Sequence, residues 1–328
     1  MATSTMKALS FHTFGGPEVL QYIDVPRPNL MPGQVLVRTQ AIGLNFADIY
    51  RRNGNYHLAG EPPFILGYEA AGVVEEVGEG VQGITPGDRV AFADSPFANA
   101  ELVSVPADHI IPLPPEISYE QAAALLLQGL TAQYLTADSY AVKPGTVALV
   151  HAVAGGVGQL LTQMIKALGG TVIGLTSSEE KRRQALNQGA DAVFLYQADW
   201  QKAVLEYCGP QRGVDVVYES VGTTLPESFA VTRPGGTVVF FGMAAGDPPL
   251  IDPRMLMDTS KTLTGGDLWN HLTSREERIR RANALFELVQ RGAIRTNITA
   301  RFALSAGADA HRLLESRQST GKILLLPS

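Results

Sequence analysis

One stretch limits the folds open to this chain more than any other. The apolar run Val147-Ala148-Leu149-Val150-His151 passes through Ala152-Val153-Ala154-Gly155-Gly156-Val157-Gly158 into a helical pattern over Val157–Leu168. Strand, glycine turn and helix in that order let backbone N–H groups approach a pyrophosphate at the helix N-terminus, where the dipole favours an anion. The first glycine of G-x-G-x-x-G is replaced by Val153, which leaves A-x-x-G-x-x-G from Ala152 through Gly155 to Gly158. A tight structural turn in an α/β protein is the other reading of these residues.

The surroundings favour the nucleotide reading. After Pro144-Gly145 the chain alternates between apolar strands (Thr146–His151, Thr171–Thr176, Ala192–Tyr196, Val214–Glu219 and Thr237–Phe241) and helices (Val157–Leu168 and Glu179–Gln188). Continuous apolar strands alternating with helices predict a parallel sheet covered on both faces, the doubly wound nucleotide-binding pattern. Before it lies a run of short β-rich segments (Lys7–Phe11, Gln34–Ile42, Ala71–Glu76, Asp88–Ala93 and Glu101–Val105) separated by Gly- and Pro-rich turns, which predicts an irregular, largely antiparallel β-domain. Tyr119–Thr136 reads as a helix with Ser118 as its N-cap. Helices over Ser274–Arg291 and Ala306–Glu315 lead to a final strand, Ile323–Leu326, placed to rejoin the first domain. A length of 328 residues agrees with two domains.

The second strand of the α/β region bears on the choice of nucleotide. A site for NAD carries an acid about 20 residues beyond the glycine turn, to bind the ribose 2′-hydroxyl. Here the strand ends Gly174-Leu175-Thr176-Ser177-Ser178, followed by Lys181 and Arg182. Hydroxyls and a lysine hold a 2′-phosphate by charge-assisted hydrogen bonds, so NADPH is the expected cofactor. The alternative is that Lys181 and Arg182 form a solvated helix face beside Glu179 and Glu180. Tyr196, at the end of the third strand, is placed to pack near the 2′-phosphate. Ser220-Val221 and Phe241-Gly242-Met243 follow later strands, where an open parallel sheet binds ligands.

Other function classes are disfavoured. A net charge of −6 argues against nucleic acid as the main partner. Cys208 is the single cysteine, so neither an internal disulfide nor a cysteine-based zinc site can form. None of the six histidines has metal-ligand spacing with a second His or Cys, so no metal is expected; His151 reads as a structural histidine. The densest apolar stretch, Ala122–Leu127, is too short for a bilayer and no secretory signal is evident, so the cytoplasm is expected.

The chain resembles the zinc-free medium-chain dehydrogenase/reductase superfamily, in its NADPH:quinone oxidoreductase (zeta-crystallin-like) branch. The stretches that carry the resemblance include Gly15–Leu20, Asn45-Phe46-Ala47-Asp48-Ile49-Tyr50, Gly67-Tyr68-Glu69-Ala70-Ala71-Gly72, Gly87-Asp88-Arg89-Val90, Ala154–Gly158 and Thr320-Gly321-Lys322, spread over essentially the whole length. The resemblance implies a GroES-like catalytic domain from residues 1–129 and 271–328, with a Rossmann domain inserted over 130–270, and a homodimer. Zinc enzymes of the superfamily carry a catalytic cysteine where this chain has Asn45, and G-H-E where it has Gly67-Tyr68-Glu69.

Site residues follow from the same resemblance. Asn45, Tyr50 and Thr131 are expected on the nicotinamide side, and Tyr56 at the substrate entrance or as a donor to the reduced oxygen. Ala154, Gly155, Gly156, Val157, Gly158, Ser177, Lys181, Tyr196, Ser220, Val221, Phe241, Gly242, Met243, Gly266, Asp267 and Leu268 complete the cofactor set. For Tyr50 and Tyr56 the alternative is packing with a wet hydroxyl, and for Thr131 a helix-interior hydroxyl. Glu69, without zinc beside it, reads as part of a structural ion pair or a turn, not as a catalytic group. The expected reaction is hydride delivery to a quinone held between the domains, without metal. An enone, enal or enoyl-thioester reductase is the enzymatic alternative, and a crystallin-like or RNA-binding protein the non-enzymatic one.

Overall fold

The computed structural model describes residues 4–197, 199–209 and 213–327. It divides into two units, one of residues 1–127, 272–290 and 296–328, the other of residues 128–271 and 291–295.

The first unit opens with β1 (Thr5–Phe11), β2 (Gln21–Pro26), β3 (Gln34–Leu44), α1 (Phe46–Arg52), β4 (Phe64–Ile65), β5 (Ala70–Val77), β6 (Arg89–Phe92), β7 (Leu102–Pro106) and β8 (Ile111–Pro112). The next helix, α2 (Tyr119–Tyr134), contains the division at 127/128. The second unit follows with β9 (Val147–Val150), α3 (Gly156–Ala167), β10 (Thr171–Thr176), α4 (Glu179–Asn187), β11 (Ala192–Leu195), α5 (Trp200–Cys208), β12 (Val214–Glu219), α6 (Leu225–Val231), β13 (Thr232–Phe240), α7 (Pro253–Thr259) and β14 (Thr262–Gly265). The chain ends with α8 (Arg275–Gln290), β15 (Ile298–Ala303), α9 (Gly307–Glu315) and β16 (Lys322–Leu326).

In the first unit the main sheet runs β15-β16-β3-β5-β6-β8, with β7 also paired to β3, and a smaller sheet runs β2-β1-β4. Every strand pair there is antiparallel except β15 with β16. The final strand does rejoin the first domain, with Ile323 opposite Leu44 and Leu325 opposite Ile42. The core gathers the inward residues of these strands, among them Phe11, Val35, Val37, Ile42, Leu44, Phe92, Ile323 and Leu325.

In the second unit the strand order is β11-β10-β9-β12-β13-β14, parallel throughout. The chain begins at a central strand and winds outward in both directions, so the sheet is doubly wound. Leu149 and Val150 of β9, Val172 and Ile173 of β10, and Val216 and Val217 of β12 are all fully buried, as a sheet covered on both faces requires. On α3, Leu160, Leu161, Met164 and Ile165 form the buried stripe.

A buried histidine in the first unit sets a pH dependence. Arg52 is fully buried, donates to Gly15 O at 2.9 Å, lies 2.8 Å from His311 Nδ1 and is paired with Glu315. Burial, and then the Arg52 charge, push the His311 pKa down to about 3. The folded-state value thus lies below the ordinary value near 6.5, so the folded chain binds fewer protons than the unfolded chain in the interval between them. Its contribution to stability is complete above about pH 6.5 and is lost as pH falls towards 3, at up to about 1.4 kcal/mol per pH unit. Urea unfolding of His311→Gln at pH 7, 6 and 5 is expected to show a shallower acid slope than the parent; equal slopes would contradict the assignment.

Candidate functional site

In the second unit the sequence-predicted cofactor residues collect at the carboxyl ends of the strands. Beyond β9, Ala152 takes a left-handed conformation with φ of 47°. Gly155 N donates to Ala152 O at 2.8 Å, and Gly155 stands as the N-cap of α3. The turn is pinned on two sides: Val153 N donates to Leu175 O at 3.1 Å, and Gln159 Nε2 to Ala154 O at 2.7 Å. Glycine is required at Gly158, where a Cβ would lie 2.5 Å from Ala152 O and 2.8 Å from Val153 Cα. Val153, at the position of the missing glycine, fits because β10 offers Gly174 against it; a Cβ there would come within 2.6 Å of the Val153 side chain. Gly155, Gly156 and Val157 stay partly accessible, and the first-turn amides of any α-helix lack intrahelical acceptors.

At the tip of β10, Ser178 caps α4 by accepting from Lys181 N at 3.3 Å, and Lys181 Nζ reaches Ser177 Oγ at 3.4 Å. Arg182 instead pairs with Glu179 at 3.3 Å on an exposed face. The tips of β12 and β13 are joined by Ala244 N to Ser220 O at 3.0 Å and Ala245 N to Val221 O at 2.9 Å, which fixes Phe241–Met243 beside Ser220–Val221. Beyond β14, Gly266 O accepts from Tyr134 Oη at 2.9 Å, and Asp267 accepts from Trp269 N at 3.0 Å. Leu268 is buried, and Thr131, on α2, is half-buried.

Beneath this rim lies a polar cluster that the sequence does not announce. His151, which ends the β9 segment, and Glu219, at the end of β12, have fully buried side chains 3.4 Å apart. Glu219 accepts from Val221 N at 2.7 Å, Gly222 N at 3.1 Å, Thr224 Oγ1 at 2.9 Å and Ser228 Oγ at 2.6 Å. Burial pushes the His151 pKa down against the opposing field of Glu219, so the imidazole is neutral. The Tyr196 hydroxyl is committed here: it lies 3.0 Å from His151 Nδ1 and accepts from Ala152 N at 3.1 Å. Burial raises its pKa, which keeps it a neutral hydroxyl.

The first unit carries Asn45, Tyr50 and Tyr56. Asn45 is the N-cap of α1 and forms a capping box with Asp48. Its Nδ2 donates to Gly43 O at 3.1 Å and to Glu69 Oε2 at 3.0 Å, while its Oδ1 accepts from Lys322 Nζ at 2.8 Å. Glu69 also accepts from Lys322 Nζ at 2.6 Å and from Leu127 N at 2.7 Å. The Lys322 and Glu69 side chains are 2% and 0% exposed, so this is a buried, fully bonded ion pair. Gly43 is required beside it, since a Cβ there would meet Glu69 Oε2 at 2.2 Å.

From α1 onward the side chains are mostly aromatic. The Tyr50 ring meets Phe46 at 5.6 Å and Tyr56 at 6.5 Å, both edge to face. The Arg51 guanidinium lies over Tyr56 at 5.0 Å and over Tyr68 at 3.9 Å. Buried Asp48, 3.4 Å from Arg51, has its pKa raised by burial against the lowering field of Arg51. The sequence reading missed Arg51, Tyr68 and Lys322 as parts of this region. The signal for Lys322 is a lysine opening an otherwise apolar strand.

Among the described residues, no group of three or more His, Cys, Asp or Glu side chains could hold a metal ion. No helix among them is long and apolar enough to cross a membrane.

A β-domain returning on itself through its last strand, in one chain with a doubly wound sheet that has a glycine turn after its first strand, defines a dehydrogenase or reductase of the alcohol dehydrogenase type. Residues 31–146 match the model of the alcohol dehydrogenase GroES-like domain, and residues 156–286 that of the zinc-binding dehydrogenase family. The chain is 41% identical to a quinone oxidoreductase of Pseudomonas aeruginosa over 98% of its own length and 99% of the relative's. It is 38% identical to a 2-haloacrylate reductase of a Burkholderia species, over 98% of both. The crystal structure of Escherichia coli quinone oxidoreductase complexed with NADPH superposes with a TM-score of 0.94 at 38% identity, covering 98% of this chain and all of the other. The chain belongs to the quinone oxidoreductase branch of the medium-chain dehydrogenase/reductase superfamily.

Proposed function

We propose that this protein is an NADPH-dependent reductase that delivers hydride to a quinone, or to a similarly activated alkene, without a metal ion. The observation that carries the reading is the tip of β10, where Ser177 and Lys181 meet with no acid at the strand end. A carboxylate there would repel a 2′-phosphate, whereas a hydroxyl and an ammonium bind it. The glycine turn fits the rest of the cofactor, because Gly158 keeps the helix end tight against Ala152 O, and the partly accessible first-turn residues Gly156 and Val157 suit a pyrophosphate. The rim residues Tyr196, Ser220, Val221, Phe241–Met243, Gly266–Leu268 and Thr131 belong to the same proposed surface.

Bound NADPH supplies the hydride; the protein supplies orientation, exclusion of water and polarisation of the acceptor oxygen. In this reading Tyr50 contacts the cofactor, and Tyr56 lines the substrate entrance or donates a hydrogen bond to the reduced oxygen. Asn45 has its amide engaged by Gly43, Glu69 and Lys322, so its main work is to fix the start of α1 and through it Tyr50. A quinone is already electrophilic and needs no Lewis acid of the kind an alcohol requires. The single cysteine, and the lack among the described residues of any group of three or more His, Cys, Asp or Glu that could hold a metal ion, support the metal-free reading. The similarity to a 2-haloacrylate reductase keeps activated alkenes within the substrate range.

The protein is further proposed to work in the cytoplasm, where a lone cysteine stays reduced, and as a homodimer. The homodimer is supported by exposed Leu250 and Met257 near β14, which forms an edge of the doubly wound sheet.

Titration of NADPH and NADH against cofactor fluorescence tests the reading. NADPH is expected to bind at least about tenfold tighter, equivalent to about 1.4 kcal/mol, and Lys181→Ala to lose most of that margin. Failure of both nucleotides to bind would overturn the proposal. Turnover of a quinone and an enone under the same NADPH then orders the acceptors.

A further inference from the structure

The buried cluster beneath the rim forms one continuous line of hydrogen bonds. Ala152 N–H donates to Tyr196 Oη at 3.1 Å. The Tyr196 hydroxyl, its oxygen used as an acceptor, donates to His151 Nδ1 at 3.0 Å. That leaves the proton of the neutral imidazole on Nε2, facing Ser228 Oγ at 3.0 Å. Ser228 donates to Glu219 Oε2 at 2.6 Å, and the other carboxylate oxygen accepts from Val221 N and Gly222 N. Trp200 stands edge-on to the imidazole, with ring centres 5.8 Å apart.

The imidazole has two further neighbours, Thr224 Oγ1 at 3.4 Å from Nδ1 and Glu219 Oε2 at 3.4 Å from Nε2; with the Thr224 hydroxyl donating to Glu219, Tyr196 is the donor left for Nδ1. The two ends of the line are backbone amides of two different turns. Ala152 belongs to the glycine turn after β9, and Val221-Gly222 to the turn after β12. Both turns are otherwise strained or tightly packed: Ala152 is a non-glycine residue with φ of 47°, and Gly222 has φ of 91° with a Cβ position 2.1 Å from Gly246 O. Such conformations persist only where surrounding bonds over-determine them.

We propose that Tyr196, His151, Ser228 and Glu219 are positioning residues that couple these two turns, so that the cofactor meets both already in place. This rests on the proposed NADPH reading for its consequence, though the coupling is a property of the chain alone. It also separates two roles for Tyr196. A tyrosine that touched the 2′-phosphate would matter to NADPH and not to NADH. A tyrosine that shapes the glycine turn matters equally to both, because both carry the pyrophosphate.

The test uses Tyr196→Phe and Ser228→Ala, each of which removes one oxygen from the full-length protein, and their double variant. Each single variant is expected to weaken NADPH and NADH by the same factor, about tenfold. The double variant is expected to stay near that tenfold, since a line already cut loses little at a second cut. Hydrogen exchange of the nucleotide-free protein gives a second readout. Ser228→Ala is expected to speed exchange at the amides of 152–158, although the Ser228 hydroxyl lies against His151 and Glu219 and touches none of them, while the amides of 172–175 keep their protection. A fall in NADPH affinity alone on Tyr196→Phe would overturn the proposal in favour of direct contact. Additive losses, or exchange changes confined to 219–228 in Ser228→Ala, would overturn the coupling. If the parent protein binds neither nucleotide, the functional reading fails and the exchange result still judges the coupling.

Discussion

Lys322→Met is expected to destabilise the first unit by about 3–5 kcal/mol, the largest loss among simple substitutions considered for this chain. The reason is the charge it strands. Glu69 is 0% exposed and receives Lys322 Nζ at 2.6 Å; without the ammonium, the carboxylate is left buried beside Asn45 and the Leu127 amide. For a unit of this size, roughly 2–4 °C is lost per kcal/mol, so the thermal midpoint should fall by about 6–20 °C. Glu69→Gln in the same chain removes the stranded charge and is expected to recover part of the loss. A double variant no more stable than Lys322→Met alone would show that the pair contributes packing and not charge.

Gly158→Ala is expected to weaken NADPH binding by about a hundredfold or more, equivalent to roughly 2.7 kcal/mol. The added Cβ would strike backbone, 2.5 Å from Ala152 O and 2.9 Å from Val153 C, and backbone in a turn pinned to β10 cannot yield cheaply. The first turn of α3 must lift away, and with it the amides proposed to bind the pyrophosphate. Gly155→Ala is the internal control: its Cβ would meet only Ala152 O, at 3.1 Å, and its φ of −77° suits any residue. Its expected effect is several-fold smaller. Fluorescence titration of the two variants side by side decides this, and equal losses would mean that the contact at Gly158 does not hold the turn.

The glycine turn was legible in the sequence because the parallel sheet is buried on both faces. Its strands, such as Val147–Val150 and the Val172–Leu175 stretch of β10, therefore appear as apolar runs, and the turn punctuates them. The first unit was partly legible: β1, β3, β5, β6, β7 and β16 were anticipated, while β2, β4, β8, β15 and the short α1 were not. Helix α1 spans only Phe46–Arg52, too short for a periodic signal, and β4 has two residues. In the second unit α5, α6, α7 and β14 were also missed. Helix α6 begins with proline at its second position, and β14 is half-exposed, so neither shows a clean apolar pattern. The expected strand Thr237–Phe241 runs instead over Thr232–Phe240, because Pro234-Gly235-Gly236, which reads as a turn, is carried inside it.

The site was legible where it rests on local order and hidden where it rests on long-range contact. Ser177 and Lys181 are four residues apart and could be paired by counting. Lys322 lies 277 residues from Asn45, and Ser228 lies 77 from His151, so nothing local announces either contact. Tyr196 was anticipated from its strand-end position, while the bonds of its hydroxyl to His151 and Ala152 were not. Arg182 was grouped with Lys181 and is paired with Glu179.

The place of β16 between β15 and β3 has a consequence for the growing chain. A ribosome makes β3 early and β16 only after the whole of residues 128–271. The doubly wound sheet has all its strands in one continuous stretch, so it can close while β3, paired with β5 and over Gln34–Arg38 with β7, still lacks a partner at Ile42–Leu44. For that interval the first unit holds an unpaired strand edge, which is the kind of template on which chains mispair. Late arrival of Ile323 and Leu325 opposite Leu44 and Ile42 both completes the sheet and retires that hazard, and it brings Lys322 to the waiting carboxylate of Glu69.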